Sequence, residues 1–287
     1  MRIEDVDAVE SLTRDTFHDL QVRTRPADWP VPRRRSAERR AEWRRRCRHL
    51  VERDPGGCWV AEDRRRLLGA ATSLRREDLW GLSTYAVLPG TQQRGVGRLL
   101  LDAALGHSEG CLRGMICSSH DPRAVRRYRL AGFTLHPTMV LRGLVQRAAL
   151  PVVEHVREGS PSDADLLNTV DRLIRGAAHG PDHELMARTH RLVLIDRPNG
   201  RGYCYLYPDG GPYLLAASNR RTATALLWHS LAEASRDEPV SFGYVTPEQE
   251  WAIDTGLAAG LQVRSREFLA LRNMTPPMPY IPSGHFL

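Results

Sequence analysis

Lysine is absent from this chain, so all 41 basic side chains other than histidine are arginine. Such a bias is characteristic of a GC-rich coding sequence and carries little functional weight. It does leave no residue for a Walker-type phosphate loop, which ends in Gly-Lys-Ser/Thr. Cysteine is sparse: Cys47, Cys58, Cys111, Cys117 and Cys204 are odd in number and show no Cys-x-x-Cys spacing. Neither a disulfide framework nor a zinc site is indicated, and reduced thiols are expected. No apolar run is long enough to span a bilayer, and Met1-Arg-Ile-Glu-Asp-Val-Asp is acidic and amphipathic rather than signal-like, so no membrane partner and a cytoplasmic location are expected.

A hydrophobic content of 41% over 287 residues is enough for sizeable cores, and about two domains is the natural expectation. The most informative stretch runs from Tyr85 to Leu101. Tyr85 to Leu88 reads as a buried strand, Pro89 and Gly90 stop it, and Leu99, Leu100, Ala103 and Ala104 recur at helical spacing. Between them lie Gln92, Arg94, Gly95 and Gly97. Glycines at a helix mouth let backbone N–H groups approach an anion with no Cβ in the way, and the unpaired amides of the first turn supply donors. The spacing is Gln-x-x-Gly-x-Gly, which is not the Rossmann Gly-x-Gly-x-x-Gly.

A second segment follows: the short strand Met115-Ile-Cys-Ser-Ser, then a helix from His120 through Tyr128 that closes on Gly132-Phe133. The two together resemble the acyl-CoA loop and the tyrosine-bearing helix of the GCN5-related N-acetyltransferases, the GNAT family. The resemblance covers roughly residues 50 to 145. It implies an α+β fold of mixed, mostly antiparallel sheet flanked by helices, with two parallel strands splayed to admit the pantetheine arm of acetyl-CoA or coenzyme A. It further implies that amides around Arg94 to Leu99 bind the pyrophosphate, with Gln92 ordering the loop and Arg94 and Arg98 adding charge. The cofactor-binding positions are then Ala86, Val87, Leu88, Gln92, Gln93, Arg94, Gly95, Val96, Gly97, Arg98 and Leu99, with Asp121, Arg123 and Ala124 at the next helix. Asp121 stands where relatives often have asparagine. Tyr128 matches the tyrosine that protonates the departing thiolate; a ring packed for structure alone is the plainer alternative.

The general base is not evident. Many relatives place a glutamate on the central strand about six residues before the Val87 position, where this chain has Gly81. Glu77 and Asp78 lie just upstream and are the expected candidates through water, with a solvated turn as the alternative; His120 is a further one. An amine of low pKa needs no strong base.

The densest charge lies between Arg33 and Arg53, where Ala41, Trp43, Cys47, Leu50 and Val51 form a partial apolar stripe. A helix with one docked face is expected. A nucleic-acid patch would look similar, but it would carry more aromatics, and Glu38, Glu42 and Glu52 interrupt this one, so a nucleic-acid partner is not expected.

Two halves share one plan. Ile3 to Val9 and Pro161 to Leu167 both open a helix with acidic first turns. Ala124 to Phe133 and Glu248 to Leu261 both close one, and each is followed by a strand, Met139-Val-Leu and Phe268-Leu-Ala-Leu. The expected domains are 1–148, binding acetyl-CoA, and 149–287, a degenerate copy with a proline-rich tail. Pro151 to Arg157 reads as the second copy's first strand. The first copy shows no counterpart before Arg2: either the true start lies upstream, or the tail from Thr275 covers that place, by docking rather than strand pairing. In the second half, Ala216-Ala-Ser-Asn-Arg-Arg-Thr has no glycine to bring backbone close to phosphate. His179 and His183 have metal-ligand spacing, but Gly180 and Pro181 break the helix, and no metal is expected.

The implied reaction is acyl transfer from acyl-CoA, acetyl being the expected group, to a primary amine on a small molecule or peptide, directly in a ternary complex. A non-catalytic acyl-CoA sensor is the alternative, favoured by the missing glutamate. A homodimer is left open.

Overall fold

The structure, a computed structural model, describes every residue except Gln93, an expected cofactor contact that lies outside the described residues. Two compact units form, residues 1–75 with 80–111 and residues 76–79 with 112–287. This division by packing follows a different line from the sequence halves 1–148 and 149–287.

The first unit carries helices α1 (Val6–Thr24), α2 (Ala37–Arg53) and α3 (Val96–Gly106), with strands β1 (Cys58–Asp63), β2 (Arg66–Arg76) and β3 (Leu79–Val87) in the order β1-β2-β3. The last residue of β2 and the first of β3 belong to the second unit. Strands β1 and β2 are antiparallel, with Cys58 opposite Thr72. Val6 and Val9 of α1 pack with Trp43 and Cys47 of α2 and with Ala70 of β2. The arginine-rich segment is therefore the docked helix its apolar stripe predicts. Ser36 caps it, accepting from the Arg39 N–H at 3.4 Å. Several cations of this segment are engaged inside the unit. Buried Glu10 takes Arg35 at 3.3 Å and Arg40 at 3.2 Å, while Arg44 meets Asp7 at 2.6 Å and Arg34 of the preceding loop meets Asp15 at 2.9 Å.

The second unit begins with β4 (Arg113–Ser118), α4 (Pro122–Leu130) and β5 (Thr134–Gly143). It continues through β6 (Arg157–Glu158), α5 (Ala164–Arg175), α6 (Asp182–Thr189), β7 (Arg191–Arg197), β8 (Gly200–Leu206) and β9 (Pro212–Ala217). It ends with α7 (Arg220–Ala232), β10 (Val240–Val245), α8 (Glu250–Ala258), β11 (Gln262–Arg272) and β12 (Tyr280–Ile281). One sheet region has the order β4-β11-β5-β10 and the other β12-β9-β8-β7-β6.

The four-strand order is symmetric. β5 and β11, the two strands that the sequence matches as closing runs, pair antiparallel with each other from Leu271 opposite Thr134 to Gln262 opposite Arg142. On the outer flanks β4 pairs with β11 and β10 with β5, so each closing strand lies between its counterpart and the other half's preceding strand. Exchange of this kind gives both edges of each closing strand a ladder partner and removes exposed edges. Leu141, Phe242, Leu226, Leu227, Trp251 and Leu261 belong to the main core cluster beside it.

Two expectations are corrected. The strand expected over Pro151 to Arg157 shrinks to Arg157–Glu158, opposite Leu194 and Val193. The tail pairs rather than merely docks, and it does so in the second half: Tyr280 lies opposite Ala216 and Ile281 opposite Leu215. Prolines supply no N–H, but their carbonyls still accept, and Ala217 donates to the Pro279 oxygen at 3.3 Å. Buried Gln249 holds the tail from the other side, donating to the Pro277 oxygen at 3.1 Å and accepting from the Tyr280 N–H at 3.2 Å.

Candidate active site

In the first unit, β3 runs into the turn that opens α3. Gly95 is the N-cap residue of α3 with φ +83°, a left-handed conformation, and it offers no side-chain cap to the helix amides. A Cβ at Gly95 would meet nothing within 4 Å, so this position needs glycine for its backbone angle. Gly97 is different: a Cβ there would lie 2.5 Å from the Tyr85 hydroxyl, which donates to the Gly97 carbonyl at 2.7 Å. Gln92 orders the loop as expected, its side-chain amide donating to the Val87 carbonyl at 3.2 Å, and Thr91 donates from its hydroxyl to the Leu88 carbonyl at 2.8 Å.

Other members of the expected set are placed as follows. The Leu88 N–H is given to Leu68 at 2.8 Å inside the sheet, so it is not the donor to a thioester oxygen, while Ala86 is buried in β3. Val96 is buried on α3, and Leu99 is exposed, its N–H donating to Gly95 at 3.1 Å. Arg94 is exposed in the loop. Arg98 reaches Asp102 at 3.4 Å on the surface.

In the second unit, Asp121 caps α4, accepting from the Arg123 N–H at 2.9 Å and pairing with the Arg123 guanidinium at 2.6 Å. The two thus engage each other, and Ala124 follows at the half-buried first turn. Tyr128 is buried on α4.

Glu77 and Asp78 are both engaged in ion pairs. Glu77 accepts from Arg172 at 2.8 Å and from the Ala178 N–H at 3.0 Å. Burial would raise its pKa, but these donors outweigh it and hold the carboxyl low. Asp78 is paired with Arg113 at 2.5 Å. Both tie the β2–β3 turn to neighbouring elements of the second unit. Glu77, stabilised in its charged form by these donors, is a poor proton acceptor.

An acid that the sequence reading did not single out, Glu267 on β11, is shifted the other way. Burial raises its pKa, while Arg266 at 3.9 Å and the neighbouring Tyr244 phenol restrain the rise. Tyr244 of β10 is half-buried, and its phenol is raised well above the ordinary value, first through desolvation and then through Glu267, Cys117 and Tyr128. Tyr128, Cys117, Tyr244 and Glu267 therefore form one electrostatically connected group, drawn from α4, β4, β10 and β11. His120 joins its edge: burial and then Arg266 lower its pKa, and its Nδ1 is buried without a partner. Glu267 had a weak sequence signal, a lone carboxylate opening the apolar run Phe268-Leu-Ala-Leu.

A second buried network gathers Asp171 of α5 with His179 and His183, three groups whose ligand atoms lie within 4.8 Å of one another. Asp171 accepts from the His179 N–H at 3.0 Å, from His179 Nδ1 at 2.8 Å, from His183 Nε2 at 2.9 Å, and from the Tyr203 hydroxyl. Every contact is a donor meeting the carboxylate. Arg175 sits against the far nitrogen of His179, placing positive charge where an ion would have to be accommodated. Burial and then Arg175 lower the His179 pKa, so the ring is neutral. As drawn, the donor set is complementary as hydrogen bonds.

Residues 14–133 match the Acetyltransferase (GNAT) family. The fold is that of the GNAT acetyltransferases. An acetyltransferase assignment from Pyrococcus horikoshii is similar over 99% of this chain and 93% of its own, at 16% identity and a TM-score of 0.75. A GCN5-related N-acetyltransferase from Kribbella flavida covers 94% of this chain and 69% of its own, at 18% identity and a TM-score of 0.55. One from Anabaena variabilis covers 94% and 70%, at 15% identity and a TM-score of 0.50. Among curated proteins, none matches the sequence. No helix among the described residues is long and apolar enough to cross a membrane.

Proposed function

We propose that this protein transfers an acyl group, acetyl in the first instance, from acyl-CoA to a primary amine of a small molecule or peptide by direct attack in a ternary complex. The observation that carries the donor side is the α3 N-terminus. Its first-turn amides have no side-chain cap, its N-cap glycine takes a left-handed backbone, and Gln92 and Tyr85 brace the loop from the strand. Amides left without intrahelical partners form a pyrophosphate cradle. On this reading residues 94–99 take the pyrophosphate and the guanidiniums of Arg94 and Arg98 add charge. Buried Tyr128 supplies the proton to coenzyme A thiolate as the C–S bond breaks.

The second half reads as a degenerate copy. Its helix α7 begins on Asn219, whose side chain accepts from the Thr222 N–H at 2.9 Å, so the amide that would meet phosphate is already capped. Release of thiol from acetyl-CoA in the presence of primary amines tests the assignment. A protein that binds acetyl-CoA yet releases no thiol with any amine would be the non-catalytic sensor instead.

A further inference from the structure

We propose that Glu267, contributed by the second half of the sequence, is the proton acceptor for the attacking amine, and that Tyr244 is its positioning residue. The proposal rests on the acyl-transfer reading above.

The backbone departs from regular sheet on both sides of β5 at this place. In β10, Phe242 lies opposite Leu141 and Val245 opposite Met139, so Gly243 and Tyr244 together face the single residue Val140. In β11, Ser265 lies opposite Met139 and Glu267 opposite Thr138, leaving Arg266 as the extra residue. Two β-bulges thus converge on Met139 from opposite edges. Bulges redirect side chains and are enriched beside active sites. Tyr244 also adopts φ +56°, a left-handed backbone that a bulky side chain holds only where its surroundings impose it.

The distortions bring one carboxylate across a strand. The Glu267 side chain reaches from β11 to β10, where its Oε2 lies 3.7 Å from the point at which a Gly243 Cβ would stand, and the neighbouring Tyr244 phenol favours its charged form. A Cβ at position 243 would stand in ordinary contact with that carboxylate, so the two bulged strands bring it close against the β10 backbone. A buried polar atom lies opposite it in register: the Thr138 hydroxyl, 1% exposed, has no hydrogen-bond partner among the described residues. Buried donors and acceptors are almost always satisfied, so an orphan facing a half-buried acid suits a polar ligand.

The step balances without a further reactant. The acceptor enters as a neutral amine; its nitrogen bonds the thioester carbonyl carbon, and the C–S bond breaks. The amine proton passes to the Glu267 carboxylate and the Tyr128 proton to the coenzyme A sulfur. Transfer of the proton from Glu267 back to Tyr128 restores the starting state. A carboxyl whose affinity for protons is raised by burial suits this role better than the guanidinium-bound Glu77 and Asp78.

The test uses the full chain, acetyl-CoA, and n-butylamine, tyramine, glycine and a lysine-containing peptide as acceptors. Glu267→Gln is expected to lower kcat at least about 100-fold, the scale of a general base, with acetyl-CoA affinity by calorimetry unchanged within about threefold. Glu267→Asp should recover part of the loss. The acid limb of the kcat profile belongs to Glu267, on which Arg266 of its own strand, Tyr244 of β10 and Cys117 of β4 act. Removing the phenol in Tyr244→Phe removes a group that favours the charged form and should move that limb to higher pH. Glu267→Gln with kcat within threefold of the parent overturns the proposal while leaving the transfer reading intact. If Glu267→Gln does not fold, an unmoved acid limb in Tyr244→Phe overturns it. A parent protein that binds acetyl-CoA and acylates none of the four acceptors overturns both.

Discussion

Tyr85 and Gly97 fix the mouth of α3: the phenol donates to the Gly97 carbonyl at 2.7 Å, and its oxygen occupies the place a side chain at 97 would need. Gly97→Ala should therefore displace the phenol and weaken coenzyme A binding about tenfold to a hundredfold, the equivalent of roughly 1–3 kcal/mol of overpacking. The ring carbon behind the hydroxyl lies 3.6 Å from that Cβ, an ordinary contact. Gly97→Ala placed in a Tyr85→Phe background should accordingly cost little more than Tyr85→Phe alone. Calorimetric affinities of the four proteins decide the matter, and simple additivity would show that the clash is not what Gly97 avoids.

Tyr128→Phe keeps the buried ring and removes the phenol proton. Turnover should fall more than acetyl-CoA affinity does, because the proton is needed only as the thiolate departs. Equal turnover with an accepted amine would leave Tyr128 with a packing role.

Coenzyme A should bind once per chain. The α3 N-terminus is uncapped and opens on Gly95, whereas α7 is capped by Asn219 and has arginine at its first two positions. Gly95→Asp puts a carboxylate and a strained left-handed backbone at the first of these and should abolish binding in a protein that remains folded. Saturation at two equivalents, or binding that survives Gly95→Asp, would contradict the assignment.

His179 is buried in its neutral form, with its pKa below the ordinary value. The unfolded chain takes up that proton from about pH 6.5 downward, while the folded protein resists it until the lower folded value. Stability is thus complete above about pH 6.5 and falls on acidification by up to about 1.4 kcal/mol per pH unit. His120 and His229 are shifted the same way but are less deeply enclosed, so His120→Asn and His229→Asn should keep most of the slope. Asp171→Asn leaves buried donors facing an amide and should cost several kcal/mol, about 3–5 by analogy with a broken buried pair. A chelator should leave the melting temperature unchanged. A slope-free denaturation profile between pH 7 and 5, or a melting temperature that drops with chelator, would refute this account of the network.

Local chemistry made much of the donor site legible. Strand, glycine turn and helix follow one another within Tyr85 to Leu101, and the requirement for glycine arises from backbone angle at Gly95 and from a neighbour twelve residues away at Gly97. Tyr128 sits on its helix as the Gly132-Phe133 ending implies. The apolar stripe of α2 was likewise visible, since Trp43, Cys47, Leu50 and Val51 recur at helical spacing and are buried.

Glu77 and Asp78 show the limit of proximity in sequence. They lie near the expected strand position, but Arg172, Ala178 and Arg113, residues far along the chain, claim their carboxylates. Glu267 shows the converse, since nothing in its neighbourhood distinguishes it from a surface acid ahead of an apolar strand. The sequence by itself determined most of the elements and the helix mouth, because each depends on periodicity or backbone freedom within a few residues. Only the tertiary structure decided the exchange of β5 and β11, the two bulges and the meeting of Glu267 with Tyr244. Those depend on strand register between segments more than a hundred residues apart, and an extra residue such as Arg266 redirects side chains only when its partner strand is in place.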